Sequence, residues 1–470
     1  MQPSPESESS PLSRPWTAFL VAATGTFMAT LDSGIVNVAL PTIADTFHVG
    51  LPTTQWVVSV YLLTIVSFLP LTGNLGDRYG RKYIFAIGFL VFSVGSILCG
   101  AAHSMGMLLF ARFVQAMGSA IFMANGPAVI MEAFPGRSRG RAFGIIGTIV
   151  GVGSLIGPTL GGFVLGALSW RWLFYLGVPI GLAGIVMALI YLENYHLGKQ
   201  KKFDLGGSVS FAVGITALIL VLTQGQKWGV TTWPTIMTAC AAVGSAFVFY
   251  RVERHTTSPI IDFNLFRVRP YALGTLASLC GFTATFCDFI LLPFYLHDVM
   301  HLPPTAIGAF LAIFPLGMAI MSPISGYLSE RAHEVLLPTS GLVVFIAGLV
   351  SLALLTTTSP AWRVVLGQSL LGLGYGTFIA PNNNSVLRSV PLSHAGMAGS
   401  IIALARNIGM VIGVALATAV YEAARGIALN TGAIQEEAFM AGLRAAFFSA
   451  AAVALIAATA SALRKPIFRK

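Results

Sequence analysis

Charge is what this chain has least of. Asp, Glu, Lys and Arg make up 9% of its residues, against about a quarter in soluble domains, which excludes a soluble globular protein of ordinary composition. Cysteine is scarce too. Cys99, Cys240, Cys280 and Cys287 fall in or near apolar segments with no C-x-x-C pair, so they read as small packing residues rather than a disulfide framework or a zinc site. There is no nucleotide-binding P-loop, and the hydrophilic segments are too short for a catalytic domain, which argues against an enzyme. His48, His103, His297, His301 and His394 stand singly at loops without metal-ligand spacing. The polar start through Arg14 has no short apolar stretch before a cleavage site, so the segment from Trp16 is expected to be a retained first span.

What the chain has instead is apolar length. With 56% hydrophobic residues and a mean hydropathy of +0.81, it reads as an all-α polytopic membrane protein. Fifty glycines and 24 prolines suit membrane helices, where small residues permit close packing and neighbours repair freed backbone groups. The formal charge of +10 is spread by side rather than gathered for nucleic acid. Basic clusters at 78–82, 137–141, 199–202, 251–269 and 464–470 alternate with loops at 45–54, 102–106 and 297–305 that hold no Lys or Arg. By the positive-inside rule both termini are cytoplasmic, which requires an even number of spans.

A span needs roughly 20 apolar residues, and that criterion gives about fourteen: 16–40, 55–73, 83–102, 107–131, 142–166, 171–192, 205–223, 233–250, 270–294, 305–326, 335–356, 361–387, 395–421 and 440–463. The expected organisation is a cytoplasmic tail (1–15), a six-helix bundle (16–192), a linker with two additional spans (193–269), a second six-helix bundle (270–463) and a cytoplasmic tail (464–470). An internal repeat supports this division. Gly73-Asn-Leu-Gly-Asp77-Arg78 aligns with Gly326-Tyr-Leu-Ser-Glu330-Arg331 at a shift of 253, where Gln115 also meets Gln368. Ala142-Phe-Gly-Ile-Ile146 and Gly153 to Gly157 match Ala398-Gly-Ser-Ile-Ile402 and Gly409 to Gly413 at a shift of 256. Duplicated six-helix units around a central site are one architecture of secondary transporters.

Ionisable residues inside spans are the first functional candidates. Asp32 sits in the first span with no compensating charge, at a cost of roughly 2.5–3.5 kcal/mol on insertion scales unless it is partnered, wetted or protonated. Arg112 in the fourth span shares a helix face with Gln115 by i, i+3 spacing. It is either a snorkelling residue near the span's start or the partner of a carboxylate. Asp288 lies among aromatic residues that suit a lipophilic cation; the other reading is a residue near the outer end reaching headgroup water. Arg406 opens the Gly409/Gly413 face and serves either the cavity or an inner-leaflet anchor. Asn37, Asn125, Gln115, Gln368, Asn382 and Asn383 either line the cavity or bond between helices.

Several segments together resemble one family. Gly73-Asn-Leu-Gly-Asp77-Arg78-Tyr-Gly80-Arg81-Lys82 is similar to the loop signature of the major facilitator superfamily. Leu31-Asp32-Ser-Gly-Ile-Val-Asn37-Val-Ala-Leu-Pro41, Trp170-Arg171-Trp172 through Gly181, and Ser258-Pro259 through Arg267 resemble its fourteen-span drug:proton antiporter branch. Two positions depart: Gly34 stands where that branch usually has a hydroxyl residue, and Gly177 where it usually has Asn. The resemblance implies two six-helix bundles plus two extra helices. It also implies a loop latch of Gly73, Asp77, Arg78, Gly80 and Arg81, in which a carboxylate near a helix N-terminus gains about 0.3–1 kcal/mol. Gly153-Ser-Leu-Ile-Gly157-Pro158-Thr-Leu-Gly161-Gly162 matches the antiporter motif, tied by the family to export; its glycines share a helix face, and Pro158 can kink the helix.

These readings converge on an expectation. The chain is a proton-coupled exporter of small lipophilic, often cationic drugs or antiseptics, working by alternating access. Asp32 is protonated from outside, Arg112 and Asp288 share the coupling, and cargo competes with the proton. No cofactor is needed beyond the proton gradient. The partners are lipid, protons and small molecules, and the protein is a monomer in a bacterial inner membrane. The alternative is an exporter of an anionic metabolite or siderophore, which Arg112 and Arg406 favour.

Overall fold

The computed structural model describes residues 15–134, 138–193, 205–229, 231–256, 263–329, 335–390 and 395–464. The expected tails before 15 and after 464, Ser258 to Asp262, Glu330, Arg331 and His394 lie outside the described residues. The first group of helices is α1 (Pro15–Phe47), α2 (Leu51–Thr54), α3 (Trp56–Tyr79), α4 (Arg81–Gly100), α5 (Met105–Ala133), α6 (Ser138–Ala167), α7 (Arg171–Tyr175) and α8 (Gly177–Tyr191). The inserted pair is α9 (Leu205–Trp228) and α10 (Trp233–His255). The second group is α11 (Arg269–Phe294), extended by a π-turn at Tyr295–Val299, then α12 (Pro304–Leu328), α13 (Leu336–Ala353), α14 (Ala361–Arg388), α15 (Ala395–Asn430) and α16 (Gln435–Ala462). Fourteen of these stretches are long and apolar enough to cross a membrane.

The helices overrun the spans that hydropathy marks. α1 continues through Pro41 to Phe47, and α15 reaches 36 residues, about 54 Å of helix against roughly 30 Å of hydrocarbon. Hydropathy sees only the part that lies in lipid. Ends are set by local chemistry: the Ser104 hydroxyl accepts from Met107 N at 3.2 Å to cap α5. Gly80, at φ 85°, is the single residue between α3 and α4, a conformation that glycine adopts without a Cβ penalty. The loop signature is therefore almost wholly helical. Asp77 lies in the last turn of α3, a helix C-terminus rather than the N-terminus expected; its side chain lies outside the described residues.

The duplication is visible in backbone detail. His48 and His301, 253 positions apart, both take φ 52° where the chain leaves a long helix at the cation-poor end. With an even number of crossings, Pro15 and Ala462 fall at the opposite, basic end.

The two halves meet along α6 and α12, and glycine sets how closely. A Cβ on Gly153, Gly157 or Gly161 would stand 3.0–3.3 Å from atoms of Thr30, Gly34 or Ile35 on α1, whereas one on Gly162 would lie 2.6 Å from the Pro304 carbonyl and 2.9 Å from Gly308 Cα on α12. The motif thus has two jobs: one face joins α6 to α1, the other joins half to half. In a bilayer such contacts are the main source of helix association, since lipid competes for apolar surface. Towards the basic end the seam parts, for a Cβ on Gly147 or Gly151 would meet nothing within 4 Å. α9 packs against both α3 and α15, bridging the other seam, while α10 packs on α9 and is almost wholly exposed. Cys240 on α10 is exposed, unlike Cys99, Cys280 and Cys287, so it is not an interior packing residue.

Candidate functional site

The first half builds one buried charged cluster from four helices. Asp32 on α1 accepts from Arg112 Nη1 on α5 at 2.6 Å and from Gln115 Nε2 at 2.8 Å. Arg112 is 1% exposed. The same Nη1 donates to Gln115 Oε1 at 2.6 Å, Nε donates to the Val57 carbonyl of α3 at 3.1 Å, and the guanidinium lies 4.0 Å over the Tyr61 ring. Gln115 Nε2 also donates to Ser96 Oγ on α4 at 2.9 Å, and the Tyr61 hydroxyl meets Ser119 at 2.7 Å. Arg112 therefore faces the bundle interior rather than snorkelling. With its fork spread over a carboxylate, an amide and a carbonyl, it meets the conditions that make a buried ion pair tolerable.

The second half repeats half of this arrangement. Asp288 on α11, 1% exposed, accepts from Gln368 Nε2 on α14 at 2.9 Å on each oxygen. These residues sit where the repeat puts Asp32 and Gln115, at shifts of 256 and 253. The cation is missing: Val365 holds the position that matches Arg112, and among the described residues no Lys, Arg or His forms an ion pair with Asp288. It is buried rather than placed at headgroup water.

The remaining candidates divide by what they bond. Asn125 donates to the Thr72 and Ile121 carbonyls at 3.0 Å each, and its Oδ1 fills the space that a Cβ on Gly76 would need, so it links α5 to α3. Asn382 donates to Ser278 at 2.7 Å and to the Gly274 carbonyl at 3.3 Å, and accepts from Arg464. Arg464 is 4% exposed, and burial pushes its guanidinium down to about 10; the last described residue is an internal clasp. Among the described residues, Asn37 Oδ1 and Asn383 Oδ1 are buried without a hydrogen-bond partner. Arg406 is partly exposed within the second half, with its Nε buried and without a partner among the same residues.

Latch residues and glycines are accounted for locally. Arg81 pairs with Glu132 at 2.9 Å, within the first half, and Arg78 lies 5.5 Å over the Tyr79 ring. A Cβ on Gly73 would touch Ala124 at 3.8 Å. Gly34 has a packing reason: its Cβ would stand 3.2 Å from both Gly157 Cα and Pro158. Gly177 starts α8, where a Cβ would stand 3.1 Å from the Phe92 ring. Sequence reasoning missed Tyr61, Ser96 and the Val57 carbonyl, which carry no signal in an apolar run.

A cavity of about 450 Å³ opens between the halves at the cation-poor end, lined by Asp45, Asp298, Glu422, Arg425 and Glu436 among others. None of Asp32, Arg112, Asp288 or Arg406 lines it. Beside it His297 Nδ1 lies 2.7 Å from Asp298, and its Nε2 lies 3.7 Å from Asp45 of the other half.

A sequence profile of the Major Facilitator Superfamily matches residues 22–414. The chain is 33% identical to the riboflavin transporter RibZ of Clostridioides difficile, over 85% of this chain and 87% of that one. It is 36% identical to the multidrug resistance protein Stp of Mycobacterium tuberculosis, over 83% and 73%. The fold is similar to that of a bacterial homologue of the human lysosomal transporter Spinster, with a TM-score of 0.69, 16% identity, and coverage of 96% of this chain and 97% of that one.

Proposed function

This chain belongs to the major facilitator superfamily, and we propose that it is a proton-coupled exporter of small lipophilic cations. The carrying observation is the contrast between the two Asp–Gln pairs. Asp32 has Arg112 at 2.6 Å, whereas among the described residues Asp288 has only the neutral Gln368. A buried charge without a counter-ion is costly. The charge of Asp288 must therefore be balanced by a proton or by a cationic cargo, and competition between the two for one carboxylate is antiport.

Alternating access would do the rest. If the basic end is cytoplasmic, as its charge favours, the tightly packed part of the α6–α12 seam lies on the outer side. Cargo entering from the cytoplasm displaces the proton from Asp288. Rocking of the halves then carries the cargo outward, and a proton from outside resets the site. Asp32 and Arg112 act as a coupled pair in the first half: should Asp32 take a proton, Arg112 keeps Gln115, Val57 and the Tyr61 ring. The named activity of Stp, multidrug resistance, agrees with this reading; that of RibZ, riboflavin transport, keeps a flat aromatic metabolite within the cargo class. We place the protein in a bacterial inner membrane, as a monomer with both termini cytoplasmic.

The test uses everted membrane vesicles with an imposed pH gradient. Wild-type vesicles should accumulate a fluorescent lipophilic cation only while the gradient lasts. Asp288→Asn, inserted at wild-type level, should not. Undiminished gradient-driven uptake by that variant contradicts the proposal.

A further inference from the structure

A side-chain amide carries an acceptor at one end and a donor at the other. The two glutamines of the repeat differ in whether anything fixes which end faces the carboxylate. Gln115 is fixed: its Oε1 accepts from Arg112 Nη1 at 2.6 Å, while its Nε2 donates to Asp32 at 2.8 Å and to Ser96 at 2.9 Å. Turned end for end, it would set its NH2 against the guanidinium and its oxygen against the carboxylate, losing both hydrogen bonds to repulsion. Gln368 has no second partner of this kind. Among the described residues its hydrogen bonds run from Nε2 to the two oxygens of Asp288, each at 2.9 Å, and its Oε1 accepts none.

Turning Gln368 would disturb its packing little. Rotation about the last side-chain bond exchanges oxygen and nitrogen in nearly the same volume, and that torsion has broad minima, so the movement is open even to a side chain that is 1% exposed. The Cys287 thiol, next to Asp288 in the chain, is directed instead at the Thr283 and Gly413 carbonyls, each 3.5 Å away. Helices α12, α14, α15 and α16 all pack on α11, and among the described residues none of their charged side chains forms an ion pair with Asp288. The carboxyl of Asp288 is thus left to one amide that can present either end.

We propose that Gln368 is a positioning residue whose amide turns over as Asp288 gains and loses its proton. Facing the ionised carboxylate, Nε2 donates to both oxygens, the arrangement seen here. Facing the neutral acid, Oε1 accepts the carboxyl proton, and either oxygen can carry that proton because both lie at the same distance from the amide. Neither form then leaves a buried polar group unpaired, and the contact between α11 and α14 survives the exchange. Gln115, locked by Arg112 and Ser96, supports only the ionised form of Asp32. The inference rests on the reading that Asp288 exchanges a proton, and it adds how so buried a site holds both forms.

The experiment records infrared difference spectra of the purified protein in phosphatidylcholine liposomes, held as a film and switched between acidic and alkaline buffer, with the Asp288→Asn spectrum subtracted. Wild-type protein should lose a carboxylic C=O band at alkaline pH and change a side-chain amide band with it. Labelling glutamine with carbon-13 at the side-chain carbonyl should move that amide band. Gln368→Met, close in volume but without an amide, should keep the carboxylic band, lose the amide change, and shift the carboxylic band to higher frequency because the acid has lost its acceptor. Three results overturn the proposal while leaving proton exchange at Asp288 standing: no amide change in wild type, an amide change that persists in Gln368→Met, or a carboxylic band that does not move in that variant. A wild-type spectrum without the carboxylic band overturns both readings. If Gln368→Met fails to fold, the labelled wild-type protein decides, since an amide change that ignores the label does not come from a glutamine.

Discussion

Gln368 holds both carboxylate oxygens of Asp288 from 2.9 Å, and among the described residues no cation forms an ion pair with them. In the duplicated half, the matching Gln115 shares its carboxylate with Arg112. The two repeats thus hold sites with different charge balance, and the proposed function rests on that difference.

Removing the cation from the first half should be costly to the fold. Arg112→Ala strands Asp32 in the bundle, and breaking a buried pair from one side costs about 3–5 kcal/mol. The double variant Asp32→Asn with Arg112→Gln should recover much of that loss, because no net charge is then buried. Thermal unfolding in detergent, compared across the single and double variants, measures the recovery. Additive losses would mean that the pair is not coupled.

Glycine at the seam should control which end is closed. Gly162→Leu forces side-chain atoms into the Pro304 carbonyl, where a Cβ alone would lie at 2.6 Å. Overpacking of this kind costs about 1–3 kcal/mol, enough to shift an equilibrium between conformations by roughly 5- to 150-fold. A cysteine placed at Thr305 should then become more accessible to a hydrophilic maleimide, while Gly147→Leu, in open space, should leave its labelling unchanged.

Sidedness is open to direct measurement. A cysteine at Gly50 should react with an impermeant maleimide added to intact cells, and one at Arg78 only after permeabilisation. Labelling of Arg78→Cys in intact cells would reverse the assigned orientation. Native Cys99, Cys280 and Cys287 are buried, and Cys240 is replaced first because it is exposed on α10.

Much of this was legible in the sequence, for physical reasons. A lone charge in an apolar run stands out, which brings Asp32, Arg112 and Asp288 forward, and the repeat brings Gln115 and Gln368 with them. What holds Arg112 was not legible: Tyr61 and Ser96 are ordinary residues in a span, and the Val57 carbonyl has no side-chain signature. Asn382 read equally as a cavity residue or as a bond between helices, and the side chain alone does not say that its partners are Ser278 and Arg464. Gly34 read as a lost hydroxyl; its small size is needed by Gly157. Spacing along one helix shows what shares a face, whereas the neighbour across the seam is set by packing that no single segment encodes.

The most direct test follows the proton itself. Purified protein in weakly buffered detergent solution is mixed with a lipophilic cation that it binds, and the change in pH is read with an indicator. Wild-type protein is predicted to release protons on binding, and Asp288→Asn to bind the cation more weakly and release none. Proton release of undiminished size from Asp288→Asn would contradict the claim that cargo and proton compete for this carboxylate.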